Sequence, residues 1–242
     1  FKLEITELID NKQKPQLAEL SIDASTELPY SDYTRTLDID NAIHTVMYKE
    51  NGITFKREYF MSYPDNVMVM RLTSDSKKGK LSRIISLESL HTDKTITADG
   101  HTITMTGYPT PVSGDKRVGD AWKNGLKYAQ QLVVKNKGGK ISVVDGTKLK
   151  VEDADEIIVL MSAATNYVQC MDDSYNYFSQ EDPLEKVQAT LHKVADKKYT
   201  ALLATHQKDY HSLYDRMRLN LGNLPEAPVA PTDSLLKGMD EN

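Results

Sequence analysis

The sequence is poor in the residues and patterns that would reveal a function directly. Cysteine occurs once in 242 residues, at Cys170, so neither an internal disulfide nor a zinc site built from cysteines can form. No apolar run approaches the roughly 20 residues that a helix needs to cross a bilayer. Charge of one sign is also scarce, with 30 Lys and Arg against 35 Asp and Glu and a formal charge of −5. We therefore expect no nucleic acid and no membrane as a partner.

Common enzyme motifs are missing as well. The chain contains no nucleophile elbow G-x-S-x-G, no phosphate-binding loop, no dinucleotide fingerprint and no H-E-x-x-H. The six histidines are scattered over predicted strands, turns and helices. His206 and His211 are too far apart in sequence to share one face of a helix. We expect neither a metal site nor a cofactor.

Adjacent carboxylates do not form a catalytic pair. Glycoside hydrolysis needs two carboxyl groups about 5 to 10 Å apart across a sugar, one of them kept protonated. Asp172-Asp173 and Glu181-Asp182 are neighbours in sequence, and neighbouring side chains of an extended segment point apart. We interpret them as solvated loop charges, with Asp182 as a helix cap, and assign no catalytic residue.

Turn signals separate short strand-like runs along most of the chain. Four glycine-containing dipeptides, flanked by residues that favour a pleated surface, predict β-hairpins. They are Asn51-Gly52, Asp99-Gly100, Gly138-Gly139 and Asp145-Gly146. Such short loops join antiparallel neighbours, so the strands are expected to pair in antiparallel fashion.

Two further runs are apolar on both faces. Residues 67–70 read VMVM and residues 156–161 read EIIVLM. A strand of this kind is buried on two sides and therefore lies between two layers. We predict a mainly β fold, with one thick antiparallel β-sandwich from about residue 16 to about residue 168.

The pattern changes at Asp182. The segment Asp182-Pro183-Leu184-Glu185 combines an N-cap residue, a proline at the first helical position and a carboxylate in the first turn. Apolar residues then recur at helical spacing as far as Met217. This predicts two helices, or one kinked helix, ending near Gly222. The three prolines of LPEAPVAPTD exclude regular structure after that point.

These boundaries divide the chain into three parts. A β-sandwich domain covers residues 1–180, a helical linker covers residues 181–222, and a proline-rich tail covers residues 223–242. The tail is expected to lead to a further domain.

A long irregular loop between residues 106 and 125 carries the most suggestive aromatic residues. Trp122 and Tyr108 could stack on the apolar face of a sugar ring, or the indole could fill a gap at a domain interface. We favour the interface, because an irregular loop with a large aromatic residue suits docking. The cluster of Tyr167, Tyr175, Tyr177 and Phe178 has the same two interpretations, with core packing as the default.

Three polar residues within predicted elements have structural interpretations. Arg57 and Glu58 are neighbours in a strand, so they face opposite layers, and one of them is expected to make an ion pair that fixes strand register. His206 lies on the apolar face of the last helix, and we expect it to be packed and hydrogen-bonded rather than catalytic.

Several segments resemble the amino-terminal domain of glycoside hydrolase family 95, the α-L-fucosidase-like enzymes. They are YTRTLDI at 33–39, REYF at 57–60, SYPDNV at 62–67, KGGK at 137–140, ADEIIVL at 154–160, AATNY at 163–167 and HQKDYHSLYDR at 206–216. The landmarks appear in the family's order and cover nearly the whole chain. Two features depart from the family: its opening proline-alanine and tryptophan segment is absent, and Ser234-Leu235 stands where Glu-Arg is usual.

The resemblance implies an architecture and a role. It implies a β-sandwich of the galactose-mutarotase type, a helical linker, and then an (α/α)6 barrel that carries the catalytic groups of an inverting glycosidase. This barrel would follow Asn242, so no catalytic position of the family has a counterpart in this sequence. The expected partners are that barrel and a glycan, and the resemblance implies a periplasmic or extracellular parent enzyme.

Two other functions remain open at this point. One is a stand-alone carbohydrate-binding β-sandwich module that uses Trp122 and the tyrosines as a stacking platform. The other is a structural or adhesive sandwich without a sugar ligand. The sequence leaves the choice between fucose and galactose open.

Overall fold

The computed structural model describes residues 2–4, 19–24, 29–76, 81–109, 125–168 and 178–219. The strands are β1 (Lys2–Glu4), β2 (Glu19–Ala24), β3 (Tyr30–Asp38), β4 (Ile43–Glu50), β5 (Ile53–Ser62), β6 (Val67–Ser74), β7 (Leu81–Glu88), β8 (Asp93–Asp99), β9 (Thr102–Tyr108), β10 (Tyr128–Lys137), β11 (Lys140–Val144), β12 (Lys148–Ala154) and β13 (Glu156–Thr165). The helices are α1 (Pro183–Val194) and α2 (Tyr199–Tyr214).

The strands form two antiparallel sheets that stack as a sandwich. One sheet has five strands in the order β1-β2-β7-β12-β11, and the other has eight in the order β3-β4-β5-β6-β13-β10-β9-β8. The two helices follow the last strand in sequence. The predicted fold class, a mainly β sandwich followed by a helical segment, is confirmed.

Three of the four predicted hairpins are present, joining β4 to β5, β8 to β9, and β11 to β12. The predicted hairpin at Gly138-Gly139 is wrong, because β10 belongs to the eight-stranded sheet and β11 to the five-stranded sheet, so this turn carries the chain from one sheet to the other. In the hairpin between β4 and β5, Asn51 and Gly52 have φ angles of 51° and 75°. Positive φ at both central residues is the requirement of a type I′ turn, whose twist matches that of the flanking strands. Local turn chemistry therefore sets the register of the pairing.

The eight-stranded sheet is buried on both faces at its centre. Met68, Met70 and Ile157 point toward the five-stranded sheet and belong to the core between the sheets, which we call the inner core. Val69 and Leu160 point the other way, toward the helices. The prediction that both apolar runs lie between two layers is confirmed, and the second layer is helical.

The helices close a second hydrophobic core, which we call the outer core. It is formed by Phe60, Val67, Val69, Ala129 and Leu160 of the sheet and by Val187, Leu191, Val194, Tyr199 and Leu202 of the helices. Each buried aliphatic side chain of this kind contributes roughly 1.5 to 3 kcal/mol relative to an exposed one. The predicted linker helices are therefore bound firmly to the sandwich.

Helix α1 begins where the sequence predicts it. Asp182 is the N-cap, its Oδ1 accepts a hydrogen bond of 3.0 Å from the amide of Leu184, and Pro183 occupies the first turn. The two-helix alternative is the one observed. Helix α2 ends at Tyr214, however, so the expected end near Gly222 is wrong. The apolar residues beyond Tyr214 have no sheet to pack on, and Met217 is 84 % exposed.

The proposed domain limits stay predictions. The described helices fall inside the interval 181–222, but they share the outer core with the sheet. The proline-rich tail, residues 223–242, lies outside the described residues.

Candidate domain interface and the cleft at Tyr108

Arg57 and Glu58 face opposite layers of the sandwich, as the sequence predicts. Arg57 is 6 % exposed, and its Nη2 donates a hydrogen bond of 3.0 Å to the hydroxyl of Tyr48. On the other face, Glu58 forms ion pairs with Lys56 at 2.8 Å and with Arg71 at 3.4 Å. The expected ion pair is therefore made by Glu58, and its partner Arg71 on β6 is directly opposite in the ladder, so the pair supports the register.

Arg71 connects the sheet to helix α2. Its Nε donates a hydrogen bond of 2.6 Å to Oε2 of Glu156 on β13, and its guanidinium carbon lies 4.7 Å from the ring centroid of Tyr199. Burial and the neighbouring Glu58 carboxylate raise the pKa of Tyr199 to about 12. A cation over an aromatic ring is attracted by the ring face, so Arg71 holds Tyr199, and with it the first turn of α2, against the sheet.

The side chain of His206 packs against the sheet and is hydrogen-bonded. It is 7 % exposed, its ring stacks on Phe60 with centroids 4.9 Å apart, and its Nε2 donates a hydrogen bond of 3.0 Å to the carbonyl of Ala42. The structural interpretation of this histidine is therefore confirmed.

Helix α2 makes further hydrogen bonds to the turn between β3 and β4. The hydroxyl of Tyr210 donates to the carbonyl of Ile39 at 2.5 Å, and the hydroxyl of Tyr214 donates to Oδ1 of Asp40 at 3.0 Å. His206, Tyr210 and Tyr214 are spaced four residues apart, which places them on one helix face. The bonds fix both the position and the direction of the helix on the sheet edge.

The turn between the two helices is tied to the sheet by two lysines. Nζ of Lys135 on β10 donates to the carbonyls of Ala195 at 2.6 Å and Lys197 at 3.0 Å. These carbonyls follow the last turn of α1, where a positive charge is favourable. Lys197 in turn forms an ion pair of 2.6 Å with Asp65, in the turn between β5 and β6.

An apolar stripe of α2 continues past the sandwich that covers its first half. Leu202 is fully buried and His206 nearly so, but Leu213 is 59 % exposed. Leu219 is 81 % exposed, and Ile39, whose carbonyl holds Tyr210, is 60 % exposed. We call Ile39, Leu213, Met217 and Leu219 the exit surface, because they lie around and after the end of α2, the last described helix. Leu213 and Met217 continue the apolar helical spacing of the sequence, but both are exposed.

A small cleft of about 160 Å³ lies at the opposite end of the larger sheet, beside Tyr108. It is lined by side chains of β8, β9 and β10 and by the start of α1: Asp93, Thr95, Thr106, Tyr108, Lys127 and Asp182. Tyr108 is partly buried there. Burial raises the pKa of the neighbouring Tyr128 above its usual value and so favours the neutral phenol.

The remaining predicted aromatic residues have different outcomes. Trp122, Tyr175 and Tyr177 lie outside the described residues, so the stacking platform stays a prediction. Tyr167 is 49 % exposed, so the default of core packing is wrong for this residue. It follows the end of β13, and its backbone forms an isolated β-bridge with Phe178.

Two negative findings apply to the described parts of the chain. Neither α1 nor α2 is long and apolar enough to cross a membrane. No group of three His, Cys, Asp or Glu side chains within the described ranges is arranged to hold a metal ion.

Comparison with known proteins places the chain in a family. Residues 4–170 match the family described as glycosyl hydrolase family 65, N-terminal domain. The chain belongs to this family. The match covers the sandwich and stops before the helices, so membership describes the β-domain that carries the cleft.

Similar proteins of known name are α-fucosidases. The chain is 28 % identical to probable alpha-fucosidase A of Aspergillus niger over 231 residues, which is 93 % of this chain and 28 % of that protein. It is 32 % identical to alpha-L-fucosidase 2 of Arabidopsis thaliana over 205 residues, which is 79 % of this chain and 24 % of that protein. The chain thus spans about a quarter of the length of these relatives.

A solved structure shows the same fold. A putative kojibiose phosphorylase from the human microbiome superposes with a TM-score of 0.50 over 83 % of this chain and 28 % of that one, at 12 % identity. Together these findings confirm an amino-terminal domain of the glycoside hydrolase kind with α-fucosidase relatives. The finer placement in family 95 stays a prediction.

Proposed function

We propose that this chain is the amino-terminal sandwich and helical linker of an α-L-fucosidase-like enzyme of glycoside hydrolase family 95. In this role it packs against an (α/α)6 barrel that carries the catalytic groups, and it does not break glycosidic bonds itself. The names of the relatives support the activity of the parent, and their length, about four times the matched segment, leaves room for a barrel.

The observation that carries the scaffolding role is the exit surface. Ile39, Leu213, Met217 and Leu219 expose apolar area on and after a helix that is itself fixed to the sheet. Interfaces between domains of one chain bury about 600 to 1,500 Å², and an apolar patch at the point where the chain leaves is a suitable centre for one.

The anchoring of α2 gives the scaffold a mechanical function. Hydrogen bonds from His206, Tyr210 and Tyr214, together with Arg71 under Tyr199, define the direction in which the chain continues. A domain that packs on the exit surface would contact a helix held in a fixed position on the sheet. Since a misplacement of about 1 Å can cost a hundredfold in rate, a rigid linker is useful to a catalytic barrel.

The activity is tested on the full-length product of the gene that encodes this chain, with an aryl α-L-fucoside as substrate. We expect release of the aryl group by the full-length protein and none by residues 1–242 alone. Turnover by residues 1–242, or a full-length protein that cleaves other aryl glycosides but not the fucoside, would contradict the proposal.

The interface is tested by Leu213→Asp in both forms of the protein. In the full-length protein, a carboxylate buried at the interface should cost about 2 to 4 kcal/mol and lower the unfolding midpoint. In residues 1–242 the same change should stay within about 0.5 kcal/mol, because the side chain is exposed. Leu90→Asp is the matched control, since Leu90 is 76 % exposed on another part of the surface. Equal effects of Leu213→Asp in both forms would exclude the interface.

A further inference from the structure

The outer face of the larger sheet is only partly covered by helices. Helix α1 packs on β10 and β13, and β9 and β8 lie farther out at the edge of the same sheet. Ala129 of β10 belongs to the outer core, and it is paired with Thr106 of β9. Ile103 and Met105 of β9 belong to the inner core, so the residues between and after them, Thr104, Thr106 and Tyr108, point to the outer face. The edge of α1 and this open sheet face form the two sides of the cleft at Tyr108.

The pairing of β8 with β9 places complementary polar side chains in this cleft. Asp93 is opposite Tyr108, and Thr95 is opposite Thr106, so all four side chains point to the outer face. Lys127 lies next to Tyr108 on the other side, immediately before β10. Its backbone amide donates a hydrogen bond of 2.7 Å to Oδ1 of Asn166, which fixes its position. Among the described residues, the carboxylate of Asp93 and the ammonium of Lys127 form no hydrogen bond or ion pair and remain available to a ligand.

The floor of the cleft is closely packed. Gly107 lies between Thr106 and Tyr108, and a Cβ at this position would be 2.3 Å from the carbonyl oxygen of Asp93 and 2.9 Å from the hydroxyl of Tyr128. The strands therefore approach each other closely only because this residue is glycine. A preformed site loses less conformational entropy on binding than a mobile one.

The mixture of groups selects the class of ligand. Asp93 accepts hydrogen bonds, Lys127 donates them, and the hydroxyls of Thr95 and Thr106 do both. An anion would meet the carboxylates of Asp93 and Asp182, and a purely apolar molecule would displace water from these groups without replacing its hydrogen bonds. A neutral molecule with several hydroxyl groups and one apolar face satisfies the whole set, because Tyr108 offers a ring for that face.

The size of the cleft limits the ligand to one ring. A volume of about 160 Å³ corresponds to roughly five water molecules at about 30 Å³ each. This space holds most of one six-membered sugar ring and leaves the rest in solvent. The cleft is smaller than the sites of about 300 Å³ or more that enclose larger ligands.

The geometry points to a binding site for a single neutral sugar ring in this cleft. Asp93 accepts and Lys127 donates hydrogen bonds at neighbouring hydroxyls, and Tyr108 contacts the C–H face of the ring. This site goes beyond the scaffolding role and does not depend on it, because every contributing residue belongs to the sandwich or to the start of α1. Its function would be to hold a terminal sugar of a glycan on the amino-terminal domain.

The site is tested by following backbone amide NMR signals of residues 1–242 during titration with L-fucose, D-galactose, D-glucose, D-mannose, D-xylose and N-acetyl-D-glucosamine. We expect saturable shifts at Gly107, Tyr108 and Lys127 for at least one sugar, with a dissociation constant on the order of 1 mM. Glycerol, which has hydroxyls but no ring, should cause no saturable shift.

Isosteric variants separate binding from folding. Asp93→Asn and Lys127→Met keep the shape of the side chains, and each should weaken binding about tenfold by removing a charged hydrogen-bond partner. Asp99→Asn, on the same strand and face at its other end, and Lys193→Met on α1 are the matched controls and should bind as the unchanged chain does. The amide spectrum without sugar verifies the fold of each variant.

Three results would overturn the site: no saturable shift with any of the six sugars, saturable shifts only outside the cleft, or unchanged affinity in both cleft variants. The experiment involves no hydrolysis and no barrel. A parent enzyme that fails to cleave fucosides would therefore leave this inference standing, and a failure here would leave the scaffolding role standing.

Discussion

Nζ of Lys197, in the turn between the two helices, lies 2.6 Å from Oδ1 of Asp65, in the turn between β5 and β6. The side chain of Asp65 is 5 % exposed, and its other oxygen accepts a hydrogen bond of 2.8 Å from Ser62. A carboxylate this far removed from water needs its cation. This contact therefore fastens the helical layer to the sandwich at the point where the helices change direction.

Lys197→Met is expected to destabilise residues 1–242 by about 1 to 2 kcal/mol, since it leaves a buried carboxylate without its cation while the lysine itself is partly solvated. Urea unfolding measures the effect. Lys186→Met is the matched control, because the pair Lys186–Glu181 is exposed on both sides and should contribute less than about 1 kcal/mol. Equal losses in the two variants would show that the Asp65 contact has no special role.

In the folded state the pKa of the Tyr199 phenol is raised to about 12, so the phenol should lose its proton only as the pH approaches 12. In the unfolded chain a tyrosine titrates near 10, so between these values the folded state holds one proton more. The contribution of this group to stability is then complete below about pH 10 and is lost as the pH rises toward 12. Phenolate absorbance of the chain minus that of Tyr199→Phe isolates the titration. A Tyr199 phenol that titrates near 10 in the folded protein would contradict the packing described for α2.

Leu202→Ala should cost about 2 to 5 kcal/mol, because Leu202 is fully buried in the outer core and its loss leaves a cavity. Since the helices and the sheet share this core, we expect both to unfold in a single transition of the unchanged chain. Urea unfolding followed by far-ultraviolet circular dichroism should show one transition. Amide hydrogen exchange should give the same free energy of opening for α2 and for β6. A separate, earlier loss of the helices would instead support a linker that is independent of the sandwich.

Two glycine-to-alanine changes at positive φ should differ sharply. At Gly139 the φ is 64°, and a Cβ would lie 2.1 Å from the carbonyl oxygen of Glu152, so Gly139→Ala should destabilise by well over about 1 kcal/mol. At Gly52 the φ is 75°, but no atom lies within 4 Å of the added Cβ. Gly52→Ala should cost only about 1 kcal/mol, the strain of the backbone conformation itself. Similar losses in thermal unfolding would mean that the contact at Glu152 relaxes freely.

The parts of the fold that depend on neighbouring residues were readable from the sequence. Asn51-Gly52 supplies positive φ at both positions of a hairpin turn. Gly138-Gly139 has positive φ as well, but it joins strands of different sheets, so the turn signal alone does not show which strands pair. Asp182 and Pro183 similarly start α1 through contacts within one turn. The end of α2 at Tyr214 differs from the expected end near Gly222 because the apolar spacing runs on to Met217, and spacing does not reveal where the sheet beneath the helix ends.

The candidate sites depend on residues that are distant in the chain. Asp93, Lys127 and Asp182 meet in one cleft only because β8, β9, β10 and α1 are neighbours in space. The sequence indicates Tyr108 but places it in an irregular loop, whereas it is the last residue of β9. Asp93 on β8 and Lys127 immediately before β10 are not indicated, since neither belongs to a recognisable motif. The exit surface was missed for a similar reason, because Leu213 looks like a core residue until the area that covers the helix is known.

The sequence by itself determined three of the four predicted hairpins, the two doubly buried strands and the capped start of the helical segment, because turn geometry, alternation and capping act between residues that are close in the chain. Tertiary structure decided which layer covers each buried strand, that the helices pack on the larger sheet, and which polar and apolar side chains remain at the surface. Those outcomes depend on the relative width of the sheets and the length of the helices, and no short segment of the chain encodes either quantity.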